Sequence, residues 1–573
     1  MKHVIRRFPQ LWRQSRLLRR WYHARRDAYP EWEEILSRGR DIWEAAQTQS
    51  SSGKRVLLAT AIGSYAHAVS LESALAAALR LRGAEPHVLL CDSALSACAE
   101  CDVSLYPSVD RFVERGPAGD LCNNCFKPAL RVYATLGVRV HRMSALVTDD
   151  QRHLSADIGR SLAYEKIATY RHEGLNVGEH AYAGALRFFA TGSLDQEPKA
   201  EAVLRRYLHA ALVTMFATRR LVRDHQFACG VFTHGIYVPW GIMGEVCRKE
   251  GVRVANWNVA YRKRRFIFSH GDTYHHTLMS EPKSEWERLE LTETKERTLL
   301  DYLASRREGL FDWIVFHRPT IRAPSRELQE TVGIDPDRPV IGLLTNVTWD
   351  AQLHYPANAF PDMLDWLTRT CEYFAKRPEL QLLIRVHPAE ISGFPRSRQP
   401  VLTELLRRLP QLSSNIIIVP AESELSTYGL MSLCNAAIIY GTKMGVELTS
   451  VGLPVVVAGE AWVRNKGVTH DASTADEYFD ILDRLPFKNP LEGDRLQRAK
   501  RYAYHFFFRR MVPLGFVTPR AGYPIFVLSL KQLEDLLPGA TPGLDVICDG
   551  ILHGSSFTFD ETKAPRVSNA TVT

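Results

Sequence analysis

The feature that most restricts how this chain can fold is an alternation in its second half. Apolar runs at residues 340–344, 380–386, 415–419, 436–440 and 454–458 are separated by helix-like segments at 360–376, 401–409, 425–434 and 443–451. Each run is apolar at odd and even positions alike, as a strand covered by helices on both faces requires. Five such strands alternating with helices predict a doubly wound parallel sheet. The first half carries a weaker version of the same pattern. Residues 55–60, RVLLAT, form an apolar run followed by Gly63-Ser64. Residues 68–82 are rich in Ala, Leu and Arg, which favours helix. Gly83 stops that helix, and 86–91 begins a second apolar run ending at Asp92. This is a βαβ opening. A long helix over 198–225, short runs at 230–233 and 253–257, and a helix over 240–249 continue it. The predicted fold class is α/β, with two doubly wound domains and a cleft between them. The expected divisions are 1–50, a basic helical segment; 51–330, the first α/β domain; 331–500, the second; and 501–573, a helical segment and tail. Residues 47–54, QTQSSSGK, are expected to be a polar linker.

Composition supports a globular protein: 573 residues, 45% hydrophobic and 24% charged. No stretch of 18 or more apolar residues appears, so no transmembrane helix is expected. Residues 1–26 carry nine Lys and Arg with no apolar core between them, unlike a signal peptide. A cytoplasmic location is expected. On a helix over 11–26, Leu11, Leu17, Leu18, Trp21 and Tyr22 share one face, while Arg13, Arg16, Arg19 and Arg20 share the other. Such a helix can lie on an anionic membrane surface at the inner face of the cytoplasmic membrane, or pack as a solvated helix. Both readings stay open.

Cys98-x2-Cys101 is followed after 20 residues by Cys122-x2-Cys125. Two thiolate pairs at this separation are the spacing of a four-cysteine zinc site. All four positions would be filled by protein, so such a zinc is structural. An iron–sulfur cluster is the secondary alternative. The expected zinc insertion spans about 92–128. A zinc ribbon on a basic chain also suggests nucleic-acid binding, and this is the non-enzyme alternative. The insertion argues against it. Between Cys98 and Cys125 it has Arg111 and Arg115 against Asp102, Asp110, Glu114 and Asp120, and no nucleic-acid partner is expected. The net charge of +8 is concentrated at the N-terminus and does not change this.

Ligands of open α/β sheets bind at the carboxyl ends of the strands. In the second domain those ends carry Asn346 and Thr348, then His387, then Gly441-Thr442-Lys443 with Glu447 one turn on, then Gly459-Glu460. Gly441 permits a tight turn. The helix after it offers N–H groups and a positive dipole end to a phosphate. The bland alternative is a capped strand-to-helix turn with a solvated lysine. In the first domain, Gly63-Ser64-Tyr65-Ala66-His67 follows the first strand. His67 is the leading candidate for a general base, and Asp92, after the second strand, is the next. Thr233-His234-Gly235 and Ser269-His270-Gly271-Asp272 are further strand-end clusters. No DxD-type motif stands out at a strand end, which fits metal-independent chemistry.

The segments RVHPAE (385–390), YGTKMGVEL (440–448), LPVVVAGEAW (453–462) and KGVTHDAST (466–474) resemble the capsule polysaccharide biosynthesis family. The resemblance covers about 340–480 well and the first half loosely. It implies a bacterial glycosyltransferase of GT-B architecture, two Rossmann-type domains, in a family that includes enzymes using CMP-activated Kdo. It implies donor phosphate contacts at His387, Gly441 and Thr442, with Lys443 and Glu447 beside them. The expected substrates are a nucleotide sugar and a saccharide or lipid-linked acceptor, the acceptor lying in the first domain. Two enzyme alternatives share the pattern. One is a nucleotide-sugar epimerase of the same fold; the other is a polyol-phosphate transferase using a CDP-alcohol.

Overall fold

Fifteen strands organise the chain among the residues that the computed structural model describes, which are 29–560 except 107, 310, 314–324, 351–352, 354–356, 394 and 521–522. The basic helix expected over 11–26 lies outside them. In the first half are β1 (Arg55–Ala61), β2 (Glu85–Leu90), β3 (Arg139–Arg142), β4 (Cys229–Thr233), β5 (Arg253–Val259) and β6 (Arg265–His270). The second half has β7 (Val340–Leu344), β8 (Gln381–Arg385), β9 (Ile416–Val419), β10 (Ala436–Ile439), β11 (Val455–Val457) and β12 (His470–Asp471). Last come β13 (Val512–Pro513), β14 (Val517–Pro519) and β15 (Phe526–Leu528). The first sheet runs β13-β6-β5-β4-β1-β2-β3, and the second β12-β11-β10-β7-β8-β9. All pairings of the second sheet are parallel. In the first, β6 pairs antiparallel with β5 and β13, and the rest are parallel. Both sheets therefore reverse strand order once, between β1 and β4 and between β7 and β10. These are the topological switch points at which doubly wound sheets bind ligands.

Each sheet is buried on both faces, which is why its strands read as continuous apolar runs. In β1, Leu57 and Ala59 pack with Phe188 and Leu208 of helices Val177–Phe189 and Ala200–His225. Val56 and Leu58 pack on the other side with Leu71 and Leu75 of helix Ala66–Arg80. That helix ends where Gly83 takes a φ of +76°, a conformation glycine adopts at little cost. In β7, Ile341 and Leu343 face Trp366 and Phe374 of helix Met363–Ala375, while Val340 and Leu344 face the opposite cluster.

The packing departs from the expected linear divisions. Residues 47–50 are not linker: they finish helix Arg40–Ser50, whose Trp43 is buried in the first domain. Helices Tyr274–Ser280 and Glu293–Arg306 precede residue 331 in the chain, yet Leu278, Leu299 and Leu303 share a cluster with Val340 and Leu344 of the second sheet. Helix Gly493–Tyr504 leads the chain back, and β13 joins the edge of the first sheet beside β6. Helix Pro542–His553 then buries Leu544, Ile547 and Ile551 in the first domain's core. Among the described residues, no helix is long and apolar enough to cross a membrane.

Candidate functional site

The end of β7 ties the strands beside it together. The Thr345 hydroxyl accepts from the His387 N–H at 3.0 Å, joining the end of β8 to that of β7. The Asn346 side-chain oxygen accepts from the Gly441 N–H at 3.3 Å, joining the end of β10. A cavity of about 350 Å³ opens above these strand ends. His387, Asn346, Gly441, Thr442 and Lys443 line it from the second sheet, as do Arg385, Tyr440 and Glu460. From the other side come His234, after β4, and Tyr261 and His275. The cavity therefore spans the second sheet's switch point and touches that of the first. A larger recess of about 670 Å³, between Leu300 and Val451, lacks any such convergence of strand ends, so size does not select the site.

His387 is held as a neutral donor. Its Nδ1 accepts from the Ala389 N–H at 3.1 Å, so in the neutral ring the proton sits on Nε2. Burial, then the charges of Lys443 and Arg385, push its pKa down to about 4. Thr442 uses its hydroxyl oxygen to accept from the Met444 N–H at 3.3 Å and keeps an O–H to give. Gly441 does not adopt a positive φ, so its need for glycine is not conformational. A Cβ there would approach the Glu460 carbonyl oxygen to 3.2 Å.

Lys443 and Glu447 belong to a buried charge cluster. The Lys443 ammonium pairs with Glu447 at 2.7 Å and sits 4.8 Å from the centre of the Tyr261 ring. Arg306 meets Glu447 at 3.1 Å and also pairs with Asp312. Tyr428 donates to Glu447 at 2.7 Å. Burial opposes ionisation of Glu447, but Arg306 and Lys443 outweigh it and hold the pKa at about 2. Glu447 does not line the cavity; it fixes the lysine that does. Arg385, unremarked in the sequence beyond its place in RVHPAE, donates to the carbonyls of Pro420 and Ser423, and burial lowers its pKa to about 10. The cavity wall on this side thus carries three cations, Arg306, Arg385 and Lys443.

Besides Glu447, three expected residues stand elsewhere. His67 packs among Tyr65, Tyr523 and Phe526, with ring centroids at 4.1, 5.9 and 5.7 Å. It faces the core on the far side of β1 and not the cavity, because the first turn of helix Ala66–Arg80 rotates it away. Asp92 is taken up by Ser144, whose N–H and hydroxyl donate to its carboxylate at 2.9 and 2.5 Å. Thr348 is buried where the domains meet, so close to Gly192 that a Cβ on that glycine would lie 2.7 Å from its own. Of the strand-end histidines read from the first half of the sequence, His234 reaches the cavity. It holds a φ of +66°, uncommon for a residue with a side chain. Burial and Arg187 lower its pKa to about 4. His275, missed entirely by strand-end reasoning because it sits on a helix, stacks on Trp462 at 5.1 Å. Asp350 and Glu460 are the carboxylates of the lining. Tyr237 donates to Asp350 at 3.0 Å, and burial raises Glu460 above the usual carboxylate range.

The structure pairs Cys98 with Cys101, but among the described residues no three of the four cysteine sulfurs lie within 4.8 Å of one another, so the expected four-cysteine site is not gathered. The sulfurs of Cys98 and Cys101 lie 3.9 Å apart, close to the separation two thiolates have on one tetrahedral zinc, about 3.8 Å for zinc–sulfur bonds of about 2.3 Å. The Cys125 N–H donates to the Cys122 carbonyl at 3.2 Å, and burial, then the nearby Cys98, pushes the Cys122 and Cys125 thiols up to about 12 and about 11. Tyr207 anchors the first pair by donating to the Cys98 and Cys101 carbonyls at 3.2 and 3.4 Å. The residue types suit a thiolate-bound metal, but Cys122 and Cys125 do not stand at ligand distance from the first pair. Three ligand atoms within 4.8 Å of one another occur, among the described residues, at His87, His141 and His225.

Comparison with known proteins places the second sheet. Residues 323–493 match the family model described as capsule polysaccharide biosynthesis protein. That segment contains the cavity's His387, Gly441, Thr442 and Lys443, so the resemblance read from the sequence holds for this region. Solved structures similar to the chain include the KpsC beta Kdo 2,4 transferase of Thermosulfurimonas dismutans, at 14% identity and a TM-score of 0.31, over 48% of this chain and 79% of that one. The beta Kdo 2,7 transferase of the same protein gives 12%, 0.30, 56% and 88%. The UDP-GlcNAc 2-epimerase of Neisseria meningitidis gives 10%, 0.21, 79% and 94%. No curated protein sequence matches the chain.

Proposed function

From the match of residues 323–493 to the capsule polysaccharide biosynthesis family, we propose that this chain is a glycosyltransferase. It moves a sugar from a nucleotide-activated donor to a saccharide or lipid-linked acceptor in the synthesis of a bacterial surface polysaccharide. The observation that carries the reading is the cavity at the second sheet's switch point, lined by a neutral His387, the Thr442 hydroxyl and the Lys443, Arg306 and Arg385 cations. In the reaction, the bond from the sugar's anomeric carbon to the donor phosphate breaks, and negative charge grows on the leaving nucleotide. Donors and cations fixed where that charge appears lower the barrier. His387 Nε2–H and the Thr442 O–H supply hydrogen bonds, and Lys443 supplies charge. His234, facing the cavity from the first sheet, takes the proton of the acceptor hydroxyl as the new bond forms. A structural zinc held by Cys98, Cys101, Cys122 and Cys125 would draw the second pair onto the first, and residues 1–26 attach the chain to an anionic membrane surface.

One observation favours a second reading. Asp350 and Glu460 both line the cavity, and a nucleotide-sugar epimerase needs acidic and basic groups close to the sugar ring. The two readings separate in one assay. Purified protein is given a panel of nucleotide sugars with and without a capsule-oligosaccharide acceptor. A transferase releases nucleotide in proportion to acceptor and extends it by one sugar. Epimerised donor formed without acceptor would overturn the proposal.

A further inference from the structure

A second candidate metal site lies at the end of the first sheet away from the cavity. His87 stands near the start of β2, and His141 lies on β3. In the parallel register Leu89 pairs with His141, so His87 and His141 are diagonal neighbours on one face of the sheet. His225, the last residue of helix Ala200–His225, reaches the same face. The three rings gather with centroids 5.1, 5.2 and 4.8 Å apart. One nitrogen from each lies within 4.8 Å of the other two. His87 Nδ1 and His141 Nε2 are 2.9 Å apart. Two imidazoles on one tetrahedral zinc hold their nitrogens about 3.4 Å apart, given zinc–nitrogen bonds of about 2.0–2.1 Å, so a small opening of this pair admits the ion.

The surroundings have the form of a ligand shell. The other nitrogen of His87, Nε2, lies 3.0 Å from the Glu85 carboxylate. A carboxylate that takes the outer N–H of a histidine fixes which nitrogen faces a metal and increases its basicity. His87 is buried, whereas His141 and His225 are half-buried, so water can complete the coordination. Imidazole nitrogens suit zinc, copper or nickel over calcium or magnesium. We propose that His87 Nδ1, His141 Nε2 and a ring nitrogen of His225 bind one divalent transition ion of the zinc class, oriented by Glu85. The ion would tie the sheet-edge strands β2 and β3 to the end of the longest helix among the described residues. It is distinct from any ion on the four cysteines.

The test uses the full chain, stripped with a chelator and titrated with Zn²⁺ by calorimetry, with metal content measured after dialysis. The wild type should take up one equivalent that His225→Ala and His141→Gln each lose and that Cys122→Ser keeps. Glu85→Gln should weaken that equivalent by about 10- to 100-fold. With Co²⁺ in the Cys122→Ser protein, the bound ion should give ligand-field bands without thiolate charge transfer. The neutral alternative is a hydrogen-bonded chain from Glu85 through His87 to His141. It would be established, and the proposal overturned, if His225→Ala and His141→Gln bound Zn²⁺ with the wild-type stoichiometry and affinity, or if the Cys122→Ser protein took up none.

Discussion

At the scale of single residues, the site rests on one imidazole and one hydroxyl. A hydrogen bond to a charged group contributes about 1.5–3 kcal/mol. Removing the His387 side chain should therefore lower kcat about 10- to 100-fold. Thr442→Ala should cost less, because Lys443 and His387 still face the phosphate. Steady-state kinetics on both variants, with circular dichroism to confirm folding, checks the order; equal rates in His387→Ala and wild type would remove His387 from the site. The same histidine carries a pH signature. Burial lowers His387 and His234 to about 4 and His275 to about 3, below the ordinary imidazole value of about 6.5. In these cases the unfolded chain binds protons that the folded cavity rejects. Their contribution to stability is fully present above about pH 6.5 and is lost as the pH falls through 4. Denaturant midpoints should fall between pH 7 and pH 4, and the fall should be shallower in His275→Gln with His387→Gln. The residue scale also shows why His67 and Asp92 do not line the cavity. The strand-end rule finds the correct edge of a sheet but not the direction of a side chain. Tyr523 and Phe526, which enclose His67, arrive from more than 450 positions along the chain.

At the scale of elements, two features carry predictions. The first is the cluster of Arg306, Asp312, Lys443 and Glu447, which joins helix Glu293–Arg306 to helix Met444–Ser450 under the cavity. Glu447→Ala leaves two cations buried without their shared partner. Removing one partner of a buried pair costs about 3–5 kcal/mol, and urea unfolding should report a loss of that size. The second is the cysteine insertion. Cys122→Ser should remove one thiolate-bound zinc per chain by elemental analysis, and an unchanged zinc content would contradict the four-cysteine assignment. Much at this scale was legible in the sequence. The runs that became β7, β8, β10 and β11 are apolar on both faces, and RVHPAE and YGTKMG mark their carboxyl ends. The strand β3, RVHR, was not legible: it is a polar edge strand of four residues with no apolar run to reveal it. Nor was β13, two residues that pair with β6 from almost 250 positions away.

At the scale of the whole molecule, two sheets with matching strand order, β13 aside, meet at one cavity, and both polar and apolar contacts hold the domains beside it. The Gln399 side chain accepts from the Gly192 and Ser193 N–H groups at 2.7 and 3.1 Å, and Arg398 meets Glu197 at 2.9 Å. Tyr237 reaches Asp350 across the same junction. Apolar packing adds to them: Trp349, on the loop after β7, is buried in the first domain's core cluster, with Val347 and Leu353 against it. Neither domain lines the cavity alone, and the match confined to residues 323–493 leaves the first domain's side of it unassigned. The central claim is that this cavity binds the phosphate of a nucleotide donor. The most direct measurement is thermal unfolding of the wild type and His387→Ala with a panel of nucleoside mono- and diphosphates and nucleotide sugars. One nucleotide class should stabilise the wild type by about 2.7 kcal/mol at 100 times its dissociation constant. The same ligand should bind His387→Ala at least about tenfold more weakly, as the loss of one charged hydrogen bond requires. No stabilisation by any member of the panel, or equal stabilisation of both proteins, would contradict it.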